Sequence, residues 1–198
     1  MKKKINSIIQ NKARIGLVVC LSWALPAPAL TSLAITVWGM APTQAHAQDV
    51  KLTVRGSGLK VPRFVTLKFN ETNLRAGPGR EYPVLWQYQT AGLPLQVNAE
   101  FGVWRKVVDH DGVTGWMRGS VLTLKRKALV QSSMANIHQD DNATSPVIAM
   151  AERNALMELQ SCPKAWCRVA AKDMRGDAVR GWIKRSAIWG ILNDESLD

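Results

Sequence analysis

The second half of this chain repeats its first. Asn73-Leu74 returns as Asn136-Ile137 and Pro83-Val84-Leu85 as Pro146-Val147-Ile148, both sixty-three residues on. One deletion near Gly92 brings the offset to sixty-two, so Leu95 and Val97 align with Met157 and Leu159, and Trp104 and Val107 with Trp166 and Val169. A longer hairpin, Lys172 to Ala178, takes the offset to sixty-six for Gly115-Trp116 and Gly181-Trp182. Register held across apolar, proline and tryptophan positions marks a tandem repeat. Each copy is small, so each buries only a modest core.

Within one copy the pattern is that of short strands. Phe64, Val65, Leu67 and Phe69 lead into Asn73-Leu74-Arg75-Ala76-Gly77-Pro78-Gly79-Arg80-Glu81-Tyr82-Pro83, whose Gly-Pro-Gly centre is neither helix nor central strand. Val84–Tyr88 is β-branched and aromatic, Leu93, Leu95 and Val97 alternate, and Val103–Val108 is the clearest strand. Asp109-His110-Asp111-Gly112 supplies the turn before Gly115-Trp116-Met117, because Asp-Gly accommodates positive φ. Regular turns without a helical period predict a small β-barrel or sandwich.

The front of the chain reads as an address. Lys2, Lys3, Lys4, Lys12 and Arg14 precede an apolar run from Ile15 to Ala41, and Ala45-His46-Ala47 is a small-x-small site. Export with cleavage after Ala47 is expected, leaving residues 1–47 outside the folded body. The alternative is an uncleaved anchor, which Pro26 and Pro28 disfavour. Val19 is not the small residue a lipidation site needs before Cys20. Export makes Cys162 and Cys167 an even pair in an oxidising compartment, hence a disulfide. The other possibility, metal ligation, lacks a second Cys or His pair at zinc spacing.

The net charge of +11 includes the five leader cations. Gln48 to Lys127 holds 13 basic and 6 acidic residues, whereas Ala128 to Asp198 holds 8 and 9. The basic surplus therefore belongs to the first copy. It fits an anionic envelope surface or an acidic protein, and export argues against nucleic acid.

The copies differ in loop and aromatic positions. Arg75-Ala76-Gly77-Pro78-Gly79 becomes His138-Gln139-Asp140-Asp141-Asn142, and Trp86 and Tyr88 become Ala149 and Ala151. Framework positions are kept, and positions a surface would use are lost. Arg75, Arg80 and Tyr82 are candidates for a cationic and aromatic rim gripping carboxylates, unless Arg75 merely ties the loop to the barrel. Trp86 and Tyr88 are candidates for a stacking face, unless they pack within the barrel or between copies. Arg105 completes the candidate set. Trp104, Trp116, Trp166 and Trp182 recur and are expected to be structural.

Catalytic and metal readings find little support. Gly77-Pro78-Gly79 lacks the Lys-Ser/Thr of a phosphate loop, and Asp140-Asp141-Asn142 lacks calcium-loop spacing. A peptidase using Cys162 or Cys167 with His110 or His138 would need a free thiol. No catalytic residue, metal or cofactor is expected.

Asn73-Leu74-Arg75-Ala76-Gly77-Pro78-Gly79, Tyr82-Pro83-Val84, Trp104-Arg105-Lys106-Val107 and Gly115-Trp116-Met117 resemble bacterial SH3-like (SH3b) domains, in the exported tandem arrangement. The match is strong over Arg63 to Leu124 and partial over Leu129 to Ile188. The resemblance implies an all-β chain of two tandem small SH3-like β-barrels after a signal segment. The expected layout is signal peptide 1–47, linker 48–62, first barrel 63–126, divergent second barrel 127–190 and acidic tail 191–198. It also implies a non-catalytic binding or targeting role in the periplasm or cell envelope. Peptidoglycan peptide or an acidic protein segment is the expected partner, met by the first barrel, with the membrane touched only through an uncleaved leader. The alternative is a structural or assembly protein that docks an envelope protein on its basic face.

Overall fold

The computed structural model describes Lys2–Lys4 and residues 56–198. The expected leader beyond Lys4, the cleavage site after Ala47 and the start of the linker lie outside the described residues. Among the described residues no helix is long and apolar enough to cross a membrane.

The strands in chain order are β1 (Lys2–Lys4), β2 (Arg63–Leu67), β3 (Thr72–Arg75), β4 (Val84–Tyr88), β5 (Pro94–Phe101), β6 (Trp104–Val108), β7 (Thr114–Arg118) and β8 (Leu122–Thr123) in the first half. The second half contributes β9 (Lys127–Val130), β10 (Met134–His138), β11 (Val147–Glu152), β12 (Leu156–Ser161), β13 (Trp166–Lys172), β14 (Ala178–Lys184) and β15 (Ile188–Trp189). They form two antiparallel sheets, ordered β1-β4-β3-β7-β6-β5-β2-β8 and β11-β10-β14-β13-β12-β9-β15. Lys2–Lys4, expected to stand apart from the folded body, instead adds an edge strand to the first sheet.

The repeat holds pair by pair. Thr66 faces Pro94 as Leu129 faces Leu156, and Val97 faces Val107 as Leu159 faces Val169. Both copies bulge at the same places, after Leu74 or Ile137 and after Val97 or Leu159. Gly92 and Asn154 occupy one turn position with φ of 86° and 69°, the left-handed region that glycine and asparagine tolerate best. The longer second hairpin has a simple origin. Val108 pairs with Thr114 in the first copy, while in the second Ala171–Val179 and Lys172–Ala178 add two rungs beyond Ala170–Arg180. The five-residue turn at the tip is unchanged: Asp109 and Asp173 each accept two backbone N–H groups through Oδ1.

Each copy has its own core. Leu67, Leu74, Tyr88, Leu95, Val97, Val107 and Met117 fill the first; Val130, Ile137, Met157, Cys162, Cys167, Val169 and Ile183 fill the second. Leu129 belongs to the first cluster although its strand lies in the second sheet, so the cores meet. At that seam Phe64 stands edge-on to Trp189 with centroids 5.0 Å apart, and Trp189 Nε1 donates to the Pro94 carbonyl at 3.3 Å. Trp189→Ala is expected to cost about 2 kcal/mol by opening this half-buried seam. Urea denaturation would show it, and an unchanged midpoint would mean the barrels do not rely on one another there.

Residues 191–198 are not a free acidic end. Arg185 donates to the carbonyls of Cys162, Leu192, Asn193 and Glu195. Glu195 pairs with Arg126, and Leu197 bridges Cys162.

Candidate ligand-binding edge of the first barrel

The six candidate residues do not share one surface. Arg75 Nη1 donates to the carbonyls of Arg80 at 3.0 Å and Tyr82 at 2.8 Å, so it ties the loop to β3. His138 at the same place in the second copy meets the Ser145 carbonyl through Nδ1 at 2.9 Å. Ser145 is the counterpart of Tyr82, so two different side chains hold one loop carbonyl. Gly77 is glycine for space: an added Cβ would lie 2.3 Å from the Tyr82 ring. Tyr82 thus folds over its own loop while remaining 41% exposed, and Arg80 is exposed.

Arg105 is also committed within the barrel. Its Nε lies 3.0 Å from Glu100 Oε1, across the β5–β6 hairpin, and its Nη1 donates to the Gly102 and Trp104 carbonyls. With the sixty-two-residue offset, Glu100 and Arg105 correspond to Cys162 and Cys167, which form a disulfide. One hairpin is closed by an ion pair, the other by a covalent bond. Arg63 Nη2 and Ser57 Oγ reach the same carboxylate at 2.5 and 2.7 Å.

Burial alone would push the Glu100 carboxyl up, but hydrogen bonds from Ser57 and Arg63 and the charge of Arg105 outweigh it and bring it from 4.5 to about 2. A depressed folded value means the stabilisation is complete above the unfolded value and is lost as pH falls towards 2. Glu100→Gln is therefore expected to flatten the fall of the melting temperature between those two pH values. Identical acid profiles for the variant and the parent would remove the ion pair from the account.

The aromatic pair on β4 divides. Both side chains turn inward, but Tyr88 is 1% exposed and belongs to the core, whereas Trp86 is half-buried against it. Tyr88 is therefore no stacking face. Its hydroxyl donates to Asp109 Oδ2 at 2.7 Å. Burial, then this bond to a carboxylate, pushes the phenol well above its ordinary value, so it stays a donor. Asp109 itself is 2% exposed.

Lys2 completes the cluster. In β1 it faces Tyr88, Lys3 faces Gln87 and Lys4 faces Trp86. Its ammonium lies 2.7 Å from Asp109 Oδ2, 2.8 Å from Asp111 Oδ2 and 5.2 Å from the centre of the Trp86 ring. Burial lowers the Lys2 value, yet the two carboxylates more than reverse this and raise it. The Lys2 hydrogen bond in turn lowers Asp111. Asp109, His110 and Asp111 offer three ligand atoms within 4.8 Å, and the ammonium is the cation among them. From the sequence Asp109 and Asp111 are turn residues and nothing more. The missing signal was the hairpin length, which sets how far the turn stands from β4.

The second copy has no such cluster. Ala151 replaces Tyr88, and Asp173 is carried two rungs outward into solvent. Cys162 and Cys167 are bonded to each other at 0% exposure, which leaves the peptidase idea without a free thiol.

No curated protein matches the chain. The family model of the bacterial SH3 domain matches it twice, over residues 68–123 and 131–190, segments that carry all but β1 and β2 of the first sheet and all but β9 of the second. With more than half of its length matched and the same strand register in both copies, the chain belongs to the bacterial SH3 domain family and carries that domain in tandem.

Proposed function

We propose that this protein is an exported, non-catalytic binding module of the cell envelope, and that its first barrel carries the ligand surface. The observation behind this reading is the asymmetry between copies. The frameworks agree pair by pair outside the longer second hairpin, yet only the first brings a half-buried tryptophan and two carboxylates together beside β4. The basic N-terminal run, the apolar stretch and Ala45-His46-Ala47 support export, and bacterial SH3 domains are commonly extracellular or envelope-associated binding modules.

The basic-face alternative has weaker support, because Arg63, Arg75, Arg105 and Arg126 all spend their guanidinium groups inside the chain. The test is co-sedimentation of the chain starting at Gln48 with whole cell envelopes and with protease-treated sacculi. Binding to both assigns a wall ligand, and binding to untreated envelopes alone assigns a protein. Binding to neither sinks the reading.

A further inference from the structure

We propose that the outer edge of β4, with Trp86 and the Asp109–Asp111 turn beside it, is a strand-addition site for an extended basic segment of a partner protein, whose lysine ammonium enters the socket that Lys2 fills here. This deepens the preceding reading and rests on its assignment of binding to the first barrel. It replaces the acidic protein segment expected from net charge with a basic one.

The chain's own residues show the geometry. Three consecutive pairs, Lys2–Tyr88, Lys3–Gln87 and Lys4–Trp86, add an antiparallel strand where the sheet otherwise ends. An end strand presents unpaired N–H and C=O groups, which is the general basis of peptide recognition by strand addition. Main-chain pairing supplies affinity without choosing a sequence. The choice falls to the side chain in the socket.

That socket is selective for an ammonium. Asp109 Oδ1 is occupied by the backbone N–H groups of Asp111 and Val113, while Oδ2 receives the Tyr88 hydroxyl and the Lys2 ammonium. Asp111, half exposed, closes the other side, and the Trp86 ring offers its face. With Lys2 in place the Asp109 side chain is 1% exposed, and removing the cation leaves that carboxylate with neutral hydrogen-bond donors alone, a less favourable state for a charge beside Asp111. Arg153 borders the same 440 Å³ hollow as Asp111 and sets one fixed positive charge against the acid pair, so the pair is balanced for one further cation rather than several. The equivalent strand β11 has neither aromatic residue nor acid at these positions. Cleavage after Ala47 would remove Lys2–Lys4 and leave both edge and socket open to a partner.

The chain starting at Gln48 retains every core residue among those described, since these lie between Phe64 and Ile191. Its binding to an acetylated, C-terminally labelled peptide of residues 2–7, Lys-Lys-Lys-Ile-Asn-Ser, would be followed by fluorescence anisotropy at low and at physiological salt. The expected result is binding that persists at physiological salt and weakens about tenfold or more with Asp111→Asn, or with alanine at the first lysine of the peptide. The all-D peptide, with the same charge but the wrong handedness for the ladder, should not bind. Hydrogen exchange at Val84–Tyr88 should slow only with the L-peptide. Absence of binding, or equal binding of the L- and D-peptides, overturns the proposal, the latter reducing it to charge attraction. Envelope sedimentation is read separately: envelope binding without peptide binding leaves the envelope reading standing and removes the strand-addition site.

Discussion

Replacing Cys162 and Cys167 together with serine is expected to destabilise the second barrel by about 3 kcal/mol. Closing so short a loop in the unfolded chain contributes about 2 kcal/mol by itself. The rest comes from placing hydroxyl groups where two sulfurs at 0% exposure now fill the core. The damage would spread to the C-terminus, because the Cys162 carbonyl accepts from Arg185 and its backbone bridges Leu197. For a domain of this size such a loss lowers the melting temperature by about 10 °C or more. Differential scanning calorimetry of the parent with and without reductant, beside the double variant, would measure it. The first barrel closes the same hairpin with Glu100 and Arg105 and should keep its transition in reductant. A melt indifferent to reductant would show the bond to be dispensable.

That correspondence between an ion pair and a disulfide indicates what a sequence conceals. The repeat was legible because framework positions, Pro83 and Pro146 or Trp104 and Trp166, keep their chemistry in both copies. Turns were legible for a local reason: Gly112 at φ 81° needs no distant partner. Arg105 was not, since a basic residue reads as a free charge until its acceptors are placed, and here they are a carboxylate across a hairpin and two carbonyls; for Arg75 the tie of loop to barrel is one of two readings the sequence leaves open, and the loop carbonyls decide for it. The alternation of Trp86 and Tyr88 marks one face of a strand but leaves open whether that face packs inward or meets a ligand, and only the burial of Tyr88 decides it. Tyr88 serves a site only indirectly, by holding Asp109. Asp109 and Asp173 are indistinguishable by motif and differ only in the number of rungs beneath them. Lys2 lies in a stretch of leader composition, and composition says nothing about pairing.

A single added carbon is expected to have a large effect at Gly115. There β3 crosses β7 through one registered pair, Arg75 with Trp116, and the backbones approach so closely that a Cβ would lie 2.8 Å from the Arg75 carbonyl oxygen and 2.6 Å from Leu74 Cγ. The second copy makes the same demand: at Gly181 the Cβ would lie 2.5 Å from the His138 carbonyl oxygen. Neither contact is relieved by turning a side chain, because the obstacle is backbone on one side and a fully buried leucine or nearly buried isoleucine on the other. Gly115→Ala should therefore cost about 3 kcal/mol or more. Gly112→Ala is the informative comparison, since nothing lies within 4 Å of its Cβ and only its φ of 81° opposes the change. A conformational penalty of that kind is about 1 kcal/mol. Urea denaturation of the two variants separates crowding from backbone conformation. If Gly112→Ala proved the worse, the crossing of β3 on β7 would not be the tight point of the barrel, and the recurrence of glycine at 115 and 181 would need another cause.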